Sequence, residues 1–233
     1  MKSSVLCLEI GPGLGTLTSS LLKKFERVLA IEYDEKLAKN LPKSFPGKKL
    51  KVINADFLDF DLELINEPYV VAGNIPYYIT SPIIYKLLEA KNPPLKIVLL
   101  IQKEVAERIL EVEGKSSFLS TSVKNLAEVE AGIVRTDVAG NLTYEVPKEY
   151  FTPPPKVDSA VILLEPRKRP LVDEKAIKLA KQGFSKPRKK LISNLNGSME
   201  EKKVIFERLN LDLNARAADL NLDDWQKLAS EIL

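Results

Sequence analysis

The amino-acid sequence predicts an α/β fold: a Rossmann-like, mostly parallel sheet followed by a small C-terminal helical domain. Three observations predict it. Short apolar runs alternate with segments of helical periodicity from residue 5 to about residue 110. The first run stops at a glycine-rich turn that opens a helix, as a nucleotide-binding strand–turn–helix unit does. Beyond residue 170 the pattern is only helical.

Taken in order, Val5 to Ile10 is a short apolar run ended by Gly11-Pro12-Gly13 and reads as a buried strand. Thr16 to Phe25 places Leu17, Leu21, Leu22 and Phe25 at helical spacing. Arg27 to Glu32 is a second strand, Glu35 to Leu41 a short helix, Lys51 to Ala55 a third strand and Tyr69 to Ala72 a fourth. Ser81 to Ala90 is a helix with Pro82 in its first turn, where a missing N–H does no harm. Lys96 to Ile101 is a fifth strand, followed by a helix through Val105 and Leu110, and Ser159 to Glu165 is a further strand. Arg167 to Pro170 is a charged, proline-ended linker, so the domain boundary is set near residue 168: 1–168 and 169–233. The second part carries Ile177, Leu179, Phe184, Leu191 and Leu195, then Trp225, Leu228 and Ile232, at helical spacing. Trp225 and Cys7 read as core residues. The stretch Ala131 to Thr143 is long for a link at that point, and no function is assigned to it.

The 233 residues suffice for one full core and a small second domain. Net charge is +3, but residues 167–233 hold 15 Lys+Arg against 10 Asp+Glu, whereas the rest holds 20 against 22. The positive excess therefore sits at the C-terminal end, where a polyanion is gripped. One cysteine and no histidine exclude an internal disulfide, a Cys or His metal centre, a Ser-His-Asp triad and imidazole general-base catalysis. No apolar run approaches a membrane span and no signal-peptide pattern is present, so the expectation is a soluble, cytoplasmic chain, monomeric and without membrane contact.

The chemistry concentrates in two turns. Gly11-Pro12-Gly13-Leu14-Gly15 follows a strand and opens a helix, and Glu32 ends the next strand 21 positions after Gly11, where a carboxylate accepts both ribose hydroxyls of a nucleotide-like cofactor. The third glycine comes one residue earlier than in the dinucleotide fingerprint, and Glu9 stands two residues before the turn. A Glu there repels a pyrophosphate and suits a cation, which points to S-adenosyl-L-methionine rather than a dinucleotide. Asp56 follows the third strand and reads equally as an acceptor for the cofactor's adenine amine or as a loop or capping acid. Asn74-Ile75-Pro76-Tyr77 follows the fourth strand, at the sheet edge where ligands bind. An aromatic amine is a poor nucleophile because its lone pair is delocalised into the ring. A side-chain amide oxygen and a backbone carbonyl that hold its protons bias the nitrogen toward a tetrahedral geometry. Pro76 stiffens the turn, and Tyr77 offers a ring on which a flipped base stacks. Phe151, at the head of Phe151-Thr152-Pro153-Pro154-Pro155, supplies a second stacking face. Lys181 to Lys190 has five basic residues, no acids and Phe184 interleaved; Lys186, Arg188, Lys189 and Lys190 are the candidate phosphate contacts, with a solvated helix face as the plain alternative.

With these residues the sequence resembles the KsgA-type ribosomal RNA adenine dimethyltransferases, relatives of the Erm macrolide-resistance methyltransferases. LEIGPGLGTLT (8–18), AIEYD (30–34), NADF (54–57), GNIPYYITSPI (73–83), QKEVAERI (102–109) and FTPPPKVDSAV (151–161) match in order, and FSKPRKKLISNL (184–195) resembles the family's basic helical region. The resemblance implies a class I S-adenosylmethionine-dependent methyltransferase sheet with a final antiparallel strand and a small helical RNA-binding domain. It implies dimethylation of two adjacent adenines near the 3′ end of small-subunit ribosomal RNA, on the immature small subunit. Gly11, Glu32, Asp56 and Asn74 would contact the cofactor; Asn74, Tyr77 and Phe151 would hold the adenine. The family also carries a stretch before the first strand, with a Gln-Asn-Phe-Leu segment that closes over the site. This sequence begins almost at the strand, so a weakened or absent catalytic function, leaving a ribosome-assembly RNA-binding factor, stands as one alternative. An Erm-like enzyme of large-subunit RNA is another.

Overall fold

A parallel strand buried on both faces must be apolar almost throughout, and β1 (Leu6–Ile10) is fully buried along its length. The computed structural model describes residues 2–132, 135–136, 142–143 and 145–232. After β1 come α1 (Thr16–Lys24), β2 (Val28–Glu32), α2 (Glu35–Asn40), β3 (Leu50–Asn54), β4 (Tyr69–Asn74), α3 (Thr80–Leu88) and β5 (Ile97–Gln102). Then follow α4 (Lys103–Leu110), α5 (Phe118–Leu126), β6 (Ala127–Ala131), the short strands β7 (Arg135–Thr136), β8 (Leu142–Thr143) and β9 (Glu145–Val146), and β10 (Ser159–Pro166). Three helices complete the chain: α6 (Glu174–Gly183), α7 (Met199–Arg208) and α8 (Leu222–Ile232).

The main sheet has the order β3-β2-β1-β4-β5-β10-β6, with β9 also paired to β10. Strands β1 to β5 are mutually parallel. Strand β10 runs antiparallel to β5, with Ser159 opposite Gln102. Its first residue therefore lies beside the carboxyl end of β5. Residues 133–134 and 137–141 of the long 131–143 stretch lie outside the described residues; its described part includes the β7–β8 pair.

The glycine turn fixes where α1 sits. Gly15 is its N-cap in the left-handed region, with φ +88°. A Cβ there would lie 2.6 Å from Leu41 Cδ1 and 2.9 Å from Phe45 Cε2. Leu21 and Leu22 of α1 then pack on Cys7 and Val28, with Leu17, Phe25 and Phe45 at the margin. Gly15→Ala, strained in φ and short of room, is expected to cost about 2 kcal/mol, read as a lower urea midpoint with an unchanged slope.

The chain divides into two compact units, Met1–Ala106 with Glu128–Pro166, and Glu107–Ala127 with Arg167–Leu233. One division falls between Pro166 and Arg167, beside the boundary expected near residue 168; the departure from the expected domains 1–168 and 169–233 is that the second unit also takes Glu107–Ala127 from the middle of the chain. The reason is packing inside that unit. Phe118 of α5 rests on the helical core and its ring lies 6.3 Å from that of Phe184. Asn125 Oδ1 accepts from the Val172 N–H at 2.8 Å, and the Leu126 carbonyl accepts from the Arg167 N–H at 2.7 Å. Trp225 is fully buried at the centre with Phe206, Leu179 and Leu228. Among the described residues no helix is long and apolar enough to cross a membrane.

Candidate active site

The strand order reverses between β1 and β4, and ligands of open α/β sheets bind outside the carboxyl ends of strands at such a point. The glycine turn leaves β1 and the Asn74-Ile75-Pro76-Tyr77 turn leaves β4, with Ile10 opposite Gly73. A Cβ at Gly73 would lie 3.2 Å from the Ile10 carbonyl oxygen and 3.0 Å from the Ile75 side chain, so glycine permits this close approach of the two strand ends. Gly11 and Gly13 take φ +63° and +56°. A Cβ on Gly11 would lie 4.0 Å from the Asn74 carbonyl oxygen, and one on Gly13 would meet nothing within 4 Å. The two turns therefore meet, and the glycine backbone is open on its outer side.

Glu32 closes the adjoining side. Its Oε2 accepts from the Gly13 N–H at 3.0 Å and its Oε1 from the Asp34 N–H at 2.9 Å. Each carboxylate oxygen keeps a further acceptor site, so the group is oriented and still able to take a ligand hydroxyl. Asn54, at the end of β3, donates from Nδ2 to the Glu32 and Tyr33 carbonyl oxygens at 2.9 Å each. Asp56, half-buried after β3, accepts from the Leu58 N–H at 2.8 Å through Oδ1. That bond closes a turn and uses one oxygen of the carboxylate.

Glu9 is fully buried within β1. Thr18 of α1 donates to its Oε2 at 2.7 Å, while Oε1 is buried with no hydrogen-bond partner among the described residues. Burial, and to a lesser degree the neighbouring Glu32 charge, push the Glu9 carboxyl up to about 7 against the Thr18 hydrogen bond. Asn74 and Pro76 are exposed and Tyr77 is half-buried. The Tyr77 hydroxyl lies 2.6 Å from Ser159 Oγ, and Ser159 is fully buried at the start of β10. Phe151, also half-buried, lies in the loop between β9 and β10, eight positions before Ser159.

The structure thus gathers Glu9, Gly11, Gly13, Glu32 and Asn74 at the ends of β1, β2 and β4, with Asp56 after β3 and Tyr77 after β4 on the same edge. Thr18, Asn54 and Ser159 escape the sequence reading. Each is a small polar residue whose partner is many positions away, and only the contact distinguishes it. In the second unit Lys186, Arg188, Lys189 and Lys190 are exposed. They occupy the turn between α6 and the short helix at Leu191–Ser193, not a helix face. Asn194 shapes this turn, donating to the Gly183 and Lys186 carbonyl oxygens at 2.7 and 3.0 Å, and Lys190 donates to Asn214 Oδ1 at 2.6 Å. Phe184, read as interleaved among the basic residues, instead packs on Trp225 with ring centroids 5.8 Å apart. Helical spacing counted it correctly as apolar, and burial decided its use.

The sequence matches the ribosomal RNA adenine dimethylase family over residues 2–233. It is 41% identical over 244 residues to ribosomal RNA small subunit methyltransferase A of Nostoc sp., covering 96% of this chain and 86% of that protein. It is 35% identical over 243 residues to the protein of that name from Dehalococcoides mccartyi, covering 99% and 80%. Two solved structures share the fold over nearly the whole chain. A dimethyladenosine transferase from Plasmodium falciparum gives a TM-score of 0.79 at 28% identity, covering 98% of this chain and 90% of that one. The 23S rRNA methyltransferase ErmE gives 0.75 at 27%, covering 100% and 92%.

Proposed function

The chain belongs to the ribosomal RNA adenine dimethylase family, and we propose that it transfers methyl groups from S-adenosyl-L-methionine to the exocyclic amines of two adjacent adenines near the 3′ end of small-subunit ribosomal RNA, during ribosome biogenesis. Its fold is that of the class I S-adenosylmethionine-dependent methyltransferases. The observation that carries the reading is the meeting of the Asn74-Ile75-Pro76-Tyr77 turn with the glycine turn at the reversal of strand order.

The residues fit that cofactor on two grounds. The unpartnered, buried Oε1 of Glu9 asks for a donor or a cation, which the methionine portion brings. The Glu32 carboxylate, already aimed by two backbone N–H groups, has acceptor capacity for the ribose hydroxyls. Gly11, Gly13 and Asn74 line the backbone side, and Asp56 is proposed to accept from the cofactor's adenine amine. Bound there, the cofactor supplies a methyl group on a sulfonium, a good leaving group, so no strong general base is required.

On the substrate side the Asn74 amide oxygen accepts a hydrogen bond from an N–H of the adenine amine. Pro76 holds the turn rigid. The Tyr77 ring, anchored through its hydroxyl to Ser159, stacks on the base, with Phe151 on the other face. Orientation of amine and methyl carbon in line is the main contribution of the protein. Lys186, Arg188 and Lys189 take RNA phosphates, with Lys190 contributing where its bond to Asn214 yields. The proposed working form is a monomer acting on the immature small ribosomal subunit.

The test is incubation with labelled S-adenosyl-L-methionine and immature small subunits, followed by mapping of methylated adenines. Two neighbouring dimethyladenines near the 3′ end are expected. Transfer to large-subunit RNA instead would replace this reading by the Erm-like one, and binding of subunits without transfer by an assembly-factor role. For the basic turn, Lys189→Ala with Lys190→Ala is expected to weaken RNA binding and to flatten log K against log salt by about 0.7–0.9 for each phosphate that is no longer neutralised. An unchanged slope removes the turn from the RNA interface.

A further inference from the structure

We propose that Glu9 is a proton switch in the cofactor pocket: its buried, half-satisfied carboxyl holds a proton in the cofactor-free chain and releases it when the cationic methionine portion binds, with Thr18 as its positioning residue. This rests on the S-adenosyl-L-methionine reading above and goes beyond it. The geometry is that of a carboxyl with one half of its needs met. Glu9 is fully buried in an interior strand of the sheet, flanked in register by Ala30 of β2 and Ala72 of β4, neither of which offers a polar side chain. Thr18 satisfies Oε2 and nothing among the described residues satisfies Oε1. Two residues further on, the backbone turns into the open glycine segment.

Among the described residues, the groups that act on Glu9 include no cation. Thr18 faces it from α1 and Glu32 acts from β2, while on its own strand Cys7 interacts with it and is itself pushed up to about 12, chiefly by burial. A buried carboxylate with an acidic neighbour and no positive partner is disfavoured, so the proton stays until a positive charge arrives. A ligand that binds the ionised form better must expel the proton, and its affinity must rise with pH through the carboxyl's titration.

The folded carboxyl titrates at about 7 and the unfolded one near 4.5. Between those values the folded state holds a proton that the unfolded state has lost. Stability contributed by Glu9 is therefore complete below about pH 4.5, falls as pH rises toward 7, and is level above it.

Calorimetric titration of the full chain with S-adenosyl-L-methionine, at about pH 6.5 in two buffers of different ionisation enthalpy, tests the proposal. More than half a proton released per site is expected, with affinity rising roughly eightfold from pH 6 to pH 7.5 for one group titrating at about 7. Glu9→Gln is expected to bind more weakly, to release no proton and to lose the pH dependence. Thr18→Val removes a bond that favours the ionised form, so the rise in affinity moves to higher pH while proton release persists. Binding by the unaltered chain without proton release, or equal release by Glu9→Gln, overturns the switch and leaves the cofactor reading intact. No binding at all overturns both.

Discussion

Replacing Asn74 by alanine is expected to lower methyl transfer by roughly 10²–10³-fold, the effect of deleting one positioned polar group that acts on the reacting centre. Cofactor affinity should change by well under about tenfold, because the Gly11–Asn74 approach is made through the Asn74 backbone carbonyl, which alanine retains. Asn74 ends β4 opposite Leu100 of β5, and the residue is exposed at the sheet edge, so truncation leaves no buried cavity. The stability read from the urea midpoint should consequently stay within about 0.5 kcal/mol of the unaltered chain. Single-turnover transfer and equilibrium cofactor binding, measured side by side, check this. Equal loss of both would make Asn74 mainly a cofactor ligand.

Glu32→Ala is expected to weaken S-adenosyl-L-methionine binding at least about a hundredfold. Two hydroxyl hydrogen bonds to an ionised acceptor disappear, each worth about 1.5–3 kcal/mol, and every 1.4 kcal/mol is about tenfold. The N–H groups of Gly13 and Asp34 also lose their acceptor, so the glycine turn and the start of α2 loosen together. Glu32→Gln keeps an acceptor oxygen and the shape of the side chain, and should lose distinctly less. Equilibrium dialysis with labelled cofactor separates the two variants. Near-equal affinity of Glu32→Ala and the unaltered chain would remove the ribose role and leave Glu32 as a turn-fixing carboxylate.

Much of the fold was legible because its rules are local. Alternating apolar runs and helical stretches specify a parallel sheet, and a strand ended by glycines specifies a turn that opens a helix. Helix α5 was not legible. Its sequence, FLSTSVKNL, is rich in Ser and Thr, which compete with the backbone for hydrogen bonds. It is helical because Ser117 and Ser120 cap it reciprocally and because Ser120, Thr121, Ser122 and Val123 are buried. Strand β6 follows it directly and carries Glu128 and Glu130, an alternation too short to stand out.

The class of chemistry proposed for this chain is written in short segments of its sequence. Glu9 to Gly15 and Asn74 to Tyr77 hold residue types at fixed short spacings that point to a cationic nucleoside cofactor and an amine substrate, through side chains and backbone alike. Tertiary structure decided what holds them. Thr18 reaches Glu9 across nine positions, Gly13 reaches Glu32 across 19 and Tyr77 reaches Ser159 across 82. It also decided that Glu107–Ala127 belongs with the C-terminal helices and that Phe184 serves the core. Such pairings depend on which strand lies beside which and on what is excluded from water. Both are properties of the packed chain, and no short window of sequence encodes them.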